Sequence, residues 1–222
     1  MLLPRSTRRD TYEFVEYRRW RAGEVWQLGP FTLTDPYRTV VDIARTTAFR
    51  YALGYVDGLA REYDVEREEL RAYAQANCRG LHGIARAFDV FEHMDGRSDN
   101  GGESEARAAM ILAGVAAPEL QVEITRPGNA GYYLADYGWQ MPNGSWMLAE
   151  LHGLGKFEDD AQNDPEHTAA KTYRAALMRD ANLRAMGHNV IHFKLSDTYD
   201  VKAFGSMMRG YGIPTTKPYA DS

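Results

Sequence analysis

The sequence predicts an α/β protein in two parts: a small β and helical unit, then a larger mixed domain whose elements run α-β-β-β-α-β. Three observations predict this. Through residues 35–94 apolar side chains recur three and four positions apart, the spacing of amphipathic helices. After residue 118 they alternate in short segments, the spacing of half-buried strands. Between these patterns lies Asp95-Gly-Arg-Ser-Asp-Asn-Gly-Gly102, rich in turn formers and expected to be a linker over 96–102.

Residues 11–33 are expected as short strands, with Tyr12-Glu-Phe-Val and Trp26-Gln-Leu interrupted by Gly29-Pro30. Asp35-Pro36 is a strong helix start, Asp as N-cap and Pro at the first helical position, with Tyr37, Val40, Val41 and Ala44 on one face. Phe49, Leu53, Val56 and Leu59 mark a second helix. Asp64 is expected to cap a third over Glu66–Ala76, and Ile84, Phe88 and Phe91 mark a fourth ending near Met94. These elements make residues 1–95 an adaptor domain.

The second domain is expected over 103–211. A helix from Glu103 to Ala113 buries Ala106, Ala109 and Met110. Leu120, Val122 and Ile124 alternate as a strand, and Pro127-Gly-Asn turns the chain. Strands Tyr132–Tyr137 and Ser145–Leu151 are joined by the Pro142-Asn-Gly turn. A helix over His167–Met186 is closed by Gly187, Asn189–Lys194 is a compact apolar strand, and Val201–Arg209 is a last helix. The tail over 212–222 is expected to be loose.

Composition narrows the classes. The chain has 222 residues, 44% hydrophobic and 26% charged, ordinary for a folded protein. No apolar run approaches the roughly 20 residues of a membrane span, and the N-terminus lacks the apolar stretch of a signal peptide, so no membrane partner is expected. Cys78 is the single cysteine, which excludes an intrachain disulfide and a cysteine-based zinc site and makes a reducing cytoplasm the natural compartment. The net charge of −5 speaks mildly against sequence-blind nucleic-acid binding. Residues 1–22 are locally richer in arginine, and carboxylates gathered around a metal would themselves lower the total.

The narrowest chemical signal is Asp136 and Glu150, placed on adjacent expected strands, with Lys156 close behind. Two carboxylates and an ammonium so arranged suit a hard divalent cation beside a phosphodiester. Glu150 stands inside the apolar run Trp146-Met-Leu-Ala149 and Leu151, where an unmatched charge is costly and calls for a partner or a metal. The bland alternative is an Asp that ends a strand as a turn residue, with Lys and Glu serving solubility at a sheet edge.

Several motifs together resemble a known family. They are Gly102-Glu103-Ser104-Glu-Ala-Arg107, Pro118-Glu-Leu-Gln121-Val122, Asp136 closing its strand, and Glu150-Leu-His152-Gly153-Leu-Gly-Lys156-Phe157. Arg179-Asp180-Ala-Asn-Leu183 with Gly187-His-Asn-Val190-Ile-His-Phe193 completes the set. Over about residues 100–197 they resemble the DUF559 branch of the PD-(D/E)xK, restriction-endonuclease-like superfamily, related to very-short-patch-repair endonucleases. Leu33-Thr-Asp-Pro-Tyr-Arg38-Thr-Val-Val-Asp42-Ile-Ala-Arg45 resembles the core of AbiEi-like antitoxin and regulator proteins. Those relatives open with a winged helix-turn-helix, for which the residues ahead of Leu33 are expected to be too few.

The resemblance implies a restriction-endonuclease-like core and Mg²⁺- or Mn²⁺-dependent hydrolysis of DNA phosphodiesters. Asp136 and Glu150 would be metal ligands with the Leu151 carbonyl as a third, and Lys156 would hold the attacking water or screen the phosphate. Glu103 would orient that lysine or join a second metal shell. The family has Asp where this chain has His152, which is either a ligand, a base near neutral pH, or a neutral side chain in a site that has lost a ligand. The alternative function is therefore a catalytically inactive DNA-binding protein or an antitoxin-like transcriptional regulator. A homodimer, or a protein partner held by the N-terminal domain, is a further expectation by analogy.

Other candidates carry less. His188 and His192 flank and enter a strand, so they do not form a zinc pair. Arg174, Arg179 and Arg184 are expected mainly as solvated helix charge, with phosphate contact the second choice. Trp139 and Trp146 are expected in the core.

Overall fold

The structure is a computed structural model that describes residues 2–3, 18–19, 25–129, 131–152 and 165–219. Two short strands, β1 (Leu2–Leu3) and β2 (Arg18–Arg19), pair in parallel. Strands β3 (Val25–Leu28) and β4 (Phe31–Thr34) form an antiparallel hairpin across Gly29-Pro30. The expected strand at Tyr12-Glu-Phe-Val lies outside the described residues.

Four helices follow: α1 (Pro36–Ala44), α2 (Phe49–Tyr63), α3 (Arg67–Asn77) and α4 (Ile84–Phe91). Asp35 caps α1 as expected, its Oδ1 accepting the Arg38 N–H at 2.9 Å, with Pro36 opening the first turn. Asp64 does not cap α3. It closes α2 in the left-handed conformation, φ 53°, and the extended Glu66 takes the N-cap position. Asp is among the few non-glycine residues that tolerate that conformation, so one residue reads as either signal. Val41, Ala44, Phe49, Leu53, Val56, Leu70, Val90 and Phe91 form the buried core of this unit.

The expected linker is partly helical. Helix α5 spans Gly101–Leu112 and starts two residues before Glu103. Asn100 Oδ1 accepts the Glu103 N–H at 3.1 Å, and Asn100 Nδ2 donates to Glu103 Oε1 at 2.7 Å. This reciprocal cap stabilises a first turn that two glycines would otherwise weaken. The stretch before it is tied down too: Asp57 accepts the Asp95 N–H at 2.9 Å, and Arg61 donates to the Ser98 carbonyl at 2.8 Å. Helix α5 then serves both halves of the molecule. Its Ala108 and Ile111 join the helical core, while Ala106, Ala109 and Met110 join the core beneath the sheet.

The remaining elements are β5 (Glu119–Thr125), β6 (Tyr132–Gln140), β7 (Trp146–His152), α6 (Pro165–Ala185), β8 (Asn189–Lys194) and α7 (Val201–Gly210). From α5 the order is therefore α-β-β-β-α-β. The four strands form one mixed sheet in the order β5-β6-β7-β8, antiparallel except for the β7–β8 pair. One face packs Tyr137, Trp139, Met147, Ala149, Ile191 and Phe193 with Met110 of α5 and Phe204 and Met208 of α7. The other packs Val122, Ile124, Ala135, Leu148 and Val190 with Leu183 of α6. Trp139 is buried as expected, its Nε1–H donating to the Ala116 carbonyl at 2.7 Å.

The tail departs from the expectation of looseness through residue 219. Val115 bridges Thr215, the Thr216 N–H donates to the Gly114 carbonyl at 2.8 Å, and the Ala116 N–H donates to the Pro214 carbonyl at 2.9 Å. Gly114, at φ 70°, admits this close approach because a Cβ there would meet Pro218 Cγ at 2.8 Å. The buried Ile213 and the Tyr219 ring, 4.3 Å from the Phe49 ring, supply the apolar contact that a glycine and proline composition concealed.

Candidate functional site at a fork in the sheet

The sheet opens at the level of Asp136 and Glu150. Pairing of β6 with β7 runs from Gln140↔Trp146 to Tyr137↔Ala149 and goes no further. Beyond it, β6 stays paired with β5 as far as Thr125↔Tyr132, and β7 stays paired with β8 as far as His152↔Lys194. Asp136 is the first residue of β6 past the last pair and Glu150 the first of β7. The two carboxylates thus stand on opposite prongs of the fork.

The backbone kinks at the same level. Leu120 and Val122, two apart, belong to one face in a regular strand, yet they enter opposite cores, as do Tyr137 and Ala135. Between them Gln121 adopts a left-handed φ of 52°. The kink brings Gln121 Nε2 to 3.2 Å from Glu103 Oε2. No pattern of apolar residues announces such a break, because the alternation simply continues through it.

Across the fork, Asp136 Oδ2 accepts the Leu151 N–H at 2.8 Å. Arg179 of α6 donates to the Leu134 carbonyl on one prong and to Glu150 Oε1 on the other. Burial alone would lower the arginine's pKa. The hydrogen bond it donates to Glu150 and the charges of Glu150, Asp180 and Asp136 outweigh that and hold the guanidinium above its ordinary value. Next to this group, His192 Nε2 and Asp180 Oδ2 are 2.7 Å apart, and the His192 ring stacks on His152 with centroids 4.7 Å apart and planes 13° from parallel. Desolvation first, then the neighbouring His192, pushes the His152 pKa below its ordinary value.

The sequence candidates thus separate. Asp136, Glu150, Leu151 and His152 meet at the fork. Lys156 lies outside the described residues. Glu103 is buried, and its carboxylate accepts from Asn100 Nδ2, from the Asp99 N–H at 2.8 Å and from Gln121 Nε2. It therefore ties the start of α5 to the kink in β5. Arg179, expected as solvated charge, is half-buried and bound to Glu150, which corrects that expectation. Its signal was present: Arg179 and Asp180 precede the buried Leu183 by four and three residues, which puts all three on the sheet-facing side of α6. His188 is structural, its Nδ1 accepting the Trp146 N–H at 3.1 Å.

Among the described residues no group of three or more His, Cys, Asp or Glu side chains is placed to hold a metal ion. The carboxylates are spaced around a guanidinium, a larger cation. Their chemistry nevertheless fits a hard divalent ion: every donor is oxygen, and Mg²⁺ commonly uses only one or two protein carboxylates beside water and substrate phosphate. In the structure the cation that Glu150 holds is the Arg179 guanidinium.

These features define an α/β protein with a mixed sheet that forks beside two carboxylates and is bridged there by Arg179. No protein-family model matches the chain, and no solved structure gives a significant match. Two uncharacterized proteins of Mycobacterium tuberculosis, one from strain CDC 1551 / Oshkosh and one from strain ATCC 25618 / H37Rv, are each 36% identical to it over 106 residues. The similarity spans 48% of this chain and 38% of the length of those relatives. Among the described residues no helix is long and apolar enough to cross a membrane.

Proposed function

We propose that the fork is the active site of a metal-dependent DNA endonuclease built on a restriction-endonuclease-like core. The observation that carries this is the parting of β6 from β7 where Asp136 and Glu150 stand, with Asp136 bound to the backbone of Leu151. A Mg²⁺ or Mn²⁺ ion, when bound, supplies an acidified water and offsets charge on the phosphate. Asp136 and Glu150 would hold it, with the Leu151 carbonyl as a third oxygen. The Asp136–Leu151 bond fixes the carboxylate before any ion arrives, so little ordering remains to be done on binding. Lys156 keeps the role the resemblance implies, beside the attacking water. In the reaction the water oxygen would bond to phosphorus and give up a proton, the P–O ester bond would break, and the departing oxygen would take up a proton.

Incubation with supercoiled plasmid DNA in Mg²⁺ or Mn²⁺ tests this. Nicking or linearisation is expected, and it should fall to background in Asp136→Asn and Glu150→Gln. Cleavage that survives both substitutions would remove the fork as the site.

A second function has its own support. Glu150 is already matched by Arg179, and a carboxylate so matched can be a structural feature of a non-catalytic DNA-binding or antitoxin-like regulator. That function predicts DNA retention in gel-shift assays with no cleavage in either metal and no response to Asp136→Asn.

A further inference from the structure

We propose that the cavity beside the C-terminal segment binds a small zwitterion with an apolar body, the chemistry of a free aromatic or branched-chain amino acid. This is independent of the fork and of the nuclease reading. Three features carry it: the shape of the cavity, the side chains that face it, and the contacts those side chains leave unmade.

The cavity holds about 560 Å³ and is partly open to solvent. Small-molecule sites commonly measure about 300–1,000 Å³ and favour places where separate parts of a chain meet. Here the end of α4, the end of α5 with its following turn, and the C-terminal segment come together. Main-chain bonds hold the segment in place: the Thr216 N–H donates to the Gly114 carbonyl at 2.8 Å, and the Tyr219 N–H to the Ile111 carbonyl at 3.3 Å. The walls are therefore set without a ligand. Ile111 and Val115 are buried and supply an apolar floor. The Tyr219 ring is fixed beside it by Phe49, 4.3 Å away, and by the edge-on His93 at 5.6 Å.

The polar lining has two signs. Asp89, one turn before His93, brings a carboxylate from α4, and Lys217 brings an ammonium from the C-terminal segment. Elsewhere in the helical unit surface charges are matched, Arg67 with Glu68 and Arg71 with Glu92. The side chains of Asp89 and Lys217 make no ion pair or hydrogen bond among the described residues, although both face one cavity. Neither ring nitrogen of the half-buried His93 has a hydrogen-bond partner there either. Desolvation lowers the pKa of this imidazole, so in its neutral form it offers one donor and one acceptor. A simple anion would meet Lys217 but face Asp89, and a simple amine the reverse. A ligand with one charge of each sign satisfies both, while its apolar body covers Ile111 and Val115. Such a ligand would touch α4, α5 and the C-terminal segment together and hold the segment closed.

The test is titration of the full chain with L-phenylalanine, L-tryptophan, L-leucine, L-isoleucine and L-methionine, read by calorimetry and by amide resonance shifts. At least one is expected to bind at a single site and to shift the amides of Val115, Thr216 and Tyr219. The single-charge relatives 3-phenylpropionate and phenethylamine should bind about tenfold or more weakly than the parent zwitterion. Asp89→Asn should narrow the gap to 3-phenylpropionate, and Lys217→Gln the gap to phenethylamine. Both positions are exposed, so the fold should survive, and circular dichroism checks that it does. Ala117→Trp, at the exposed edge of the cavity, should fill it and abolish binding. Saturating ligand should slow proteinase K cleavage of the segment 213–219. Binding by none of the five below about 10 mM overturns the proposal. So does equal binding of the single-charge relatives, preference for the uncharged heterocycle adenine, or binding that ignores Ala117→Trp in a folded variant. Each of these outcomes leaves the reading of the fork untouched.

Discussion

Two arginine–carboxylate pairs in this molecule have the same chemistry and opposite settings. Arg107 on α5 donates to both oxygens of Asp57 on α2, at 2.8 and 2.7 Å, with side-chain exposures of 6% and 0%. Arg179 on α6 meets Glu150 with exposures of 22% and 15%, close to Asp136 and Asp180. The first pair is matched one to one and sealed between the helical unit and the sheet domain. The second is only partly buried, so water reaches it more readily than the first. A fully desolvated pair fixes structure because neither partner can leave alone, whereas a partly exposed pair pays less when one partner is lost.

The largest way to break this comparison is to remove one buried partner. Arg107→Met should destabilise the protein by about 3–5 kcal/mol, since Asp57 is left charged and unmatched. Adding Asp57→Asn should restore part of that loss. Arg179→Gln, which leaves the partly buried Glu150 without its donor, should cost less, about 1–3 kcal/mol. Urea unfolding monitored by circular dichroism distinguishes them, and equal losses would abolish the distinction. The pH dependence has a definite sign. Burial raises the Asp57 pKa, and Arg107 is the chief opposing influence. A raised carboxylate pKa contributes stability at acidic pH that is lost as pH rises through it. The deficit of Arg107→Met should therefore grow from mildly acidic to neutral pH, and Asp57→Asn should flatten that slope.

Much of this frame is legible in the sequence, and what is not has physical reasons. Period and cap residues place α1 and the sheet strands along the chain, because each is a local property of its own segment. The Gly-Glu-Ser-x-x-Arg start of α5 is legible as a motif but not as what it does: Glu103 braces the capping Asn100 and Arg107 reaches Asp57, fifty residues earlier. Asp136 and Glu150 stand out in the sequence because both carboxylates fall at expected strand positions. Their separation onto two prongs does not, since it depends on where pairing stops and on a left-handed Gln121 that no turn residue advertises. Arg179 was hidden by the usual fate of helix arginines, and only its spacing from Leu183 distinguishes it.

A smaller perturbation sharpens the contrast from the side of the fork. At Gly138, two residues from Asp136, an added Cβ would meet Val122 Cγ2 at 2.8 Å, Trp146 Cε3 at 3.0 Å and Leu148 Cδ2 at 3.2 Å. The neighbours belong to β5 and β7, so the clash pushes on both sides of β6. Gly138→Ala should cost about 1–3 kcal/mol as overpacking. If the fork depends on this close packing, the Leu151 amide, bound to Asp136, should also exchange with deuterium faster. Unchanged protection at Leu151 would show that the prongs are set independently of the sheet behind them.

The weakest expected effect lies where the tail closes over the helical unit. The rings of Phe49, His93 and Tyr219 form a cluster, with His93 edge-on to Phe49 at 5.3 Å and to Tyr219 at 5.6 Å. Desolvation first and the charge of Arg107 second lower the His93 pKa, with Glu92 and Asp89 opposing. A lowered histidine pKa means the folded state binds fewer protons than the unfolded chain, so its stability is present above the ordinary histidine range and lost as pH falls through it. Tyr219→Ala should cost about 1 kcal/mol through the lost ring contacts. Limited proteolysis should cut the segment 213–219 faster at acidic than at neutral pH, and His93→Phe should remove that acceleration. Here the same Arg107 that locks Asp57 also disfavours protonation at the tail's docking site, so a stability change at the buried pair should be felt at the C-terminal segment before it is felt at the fork.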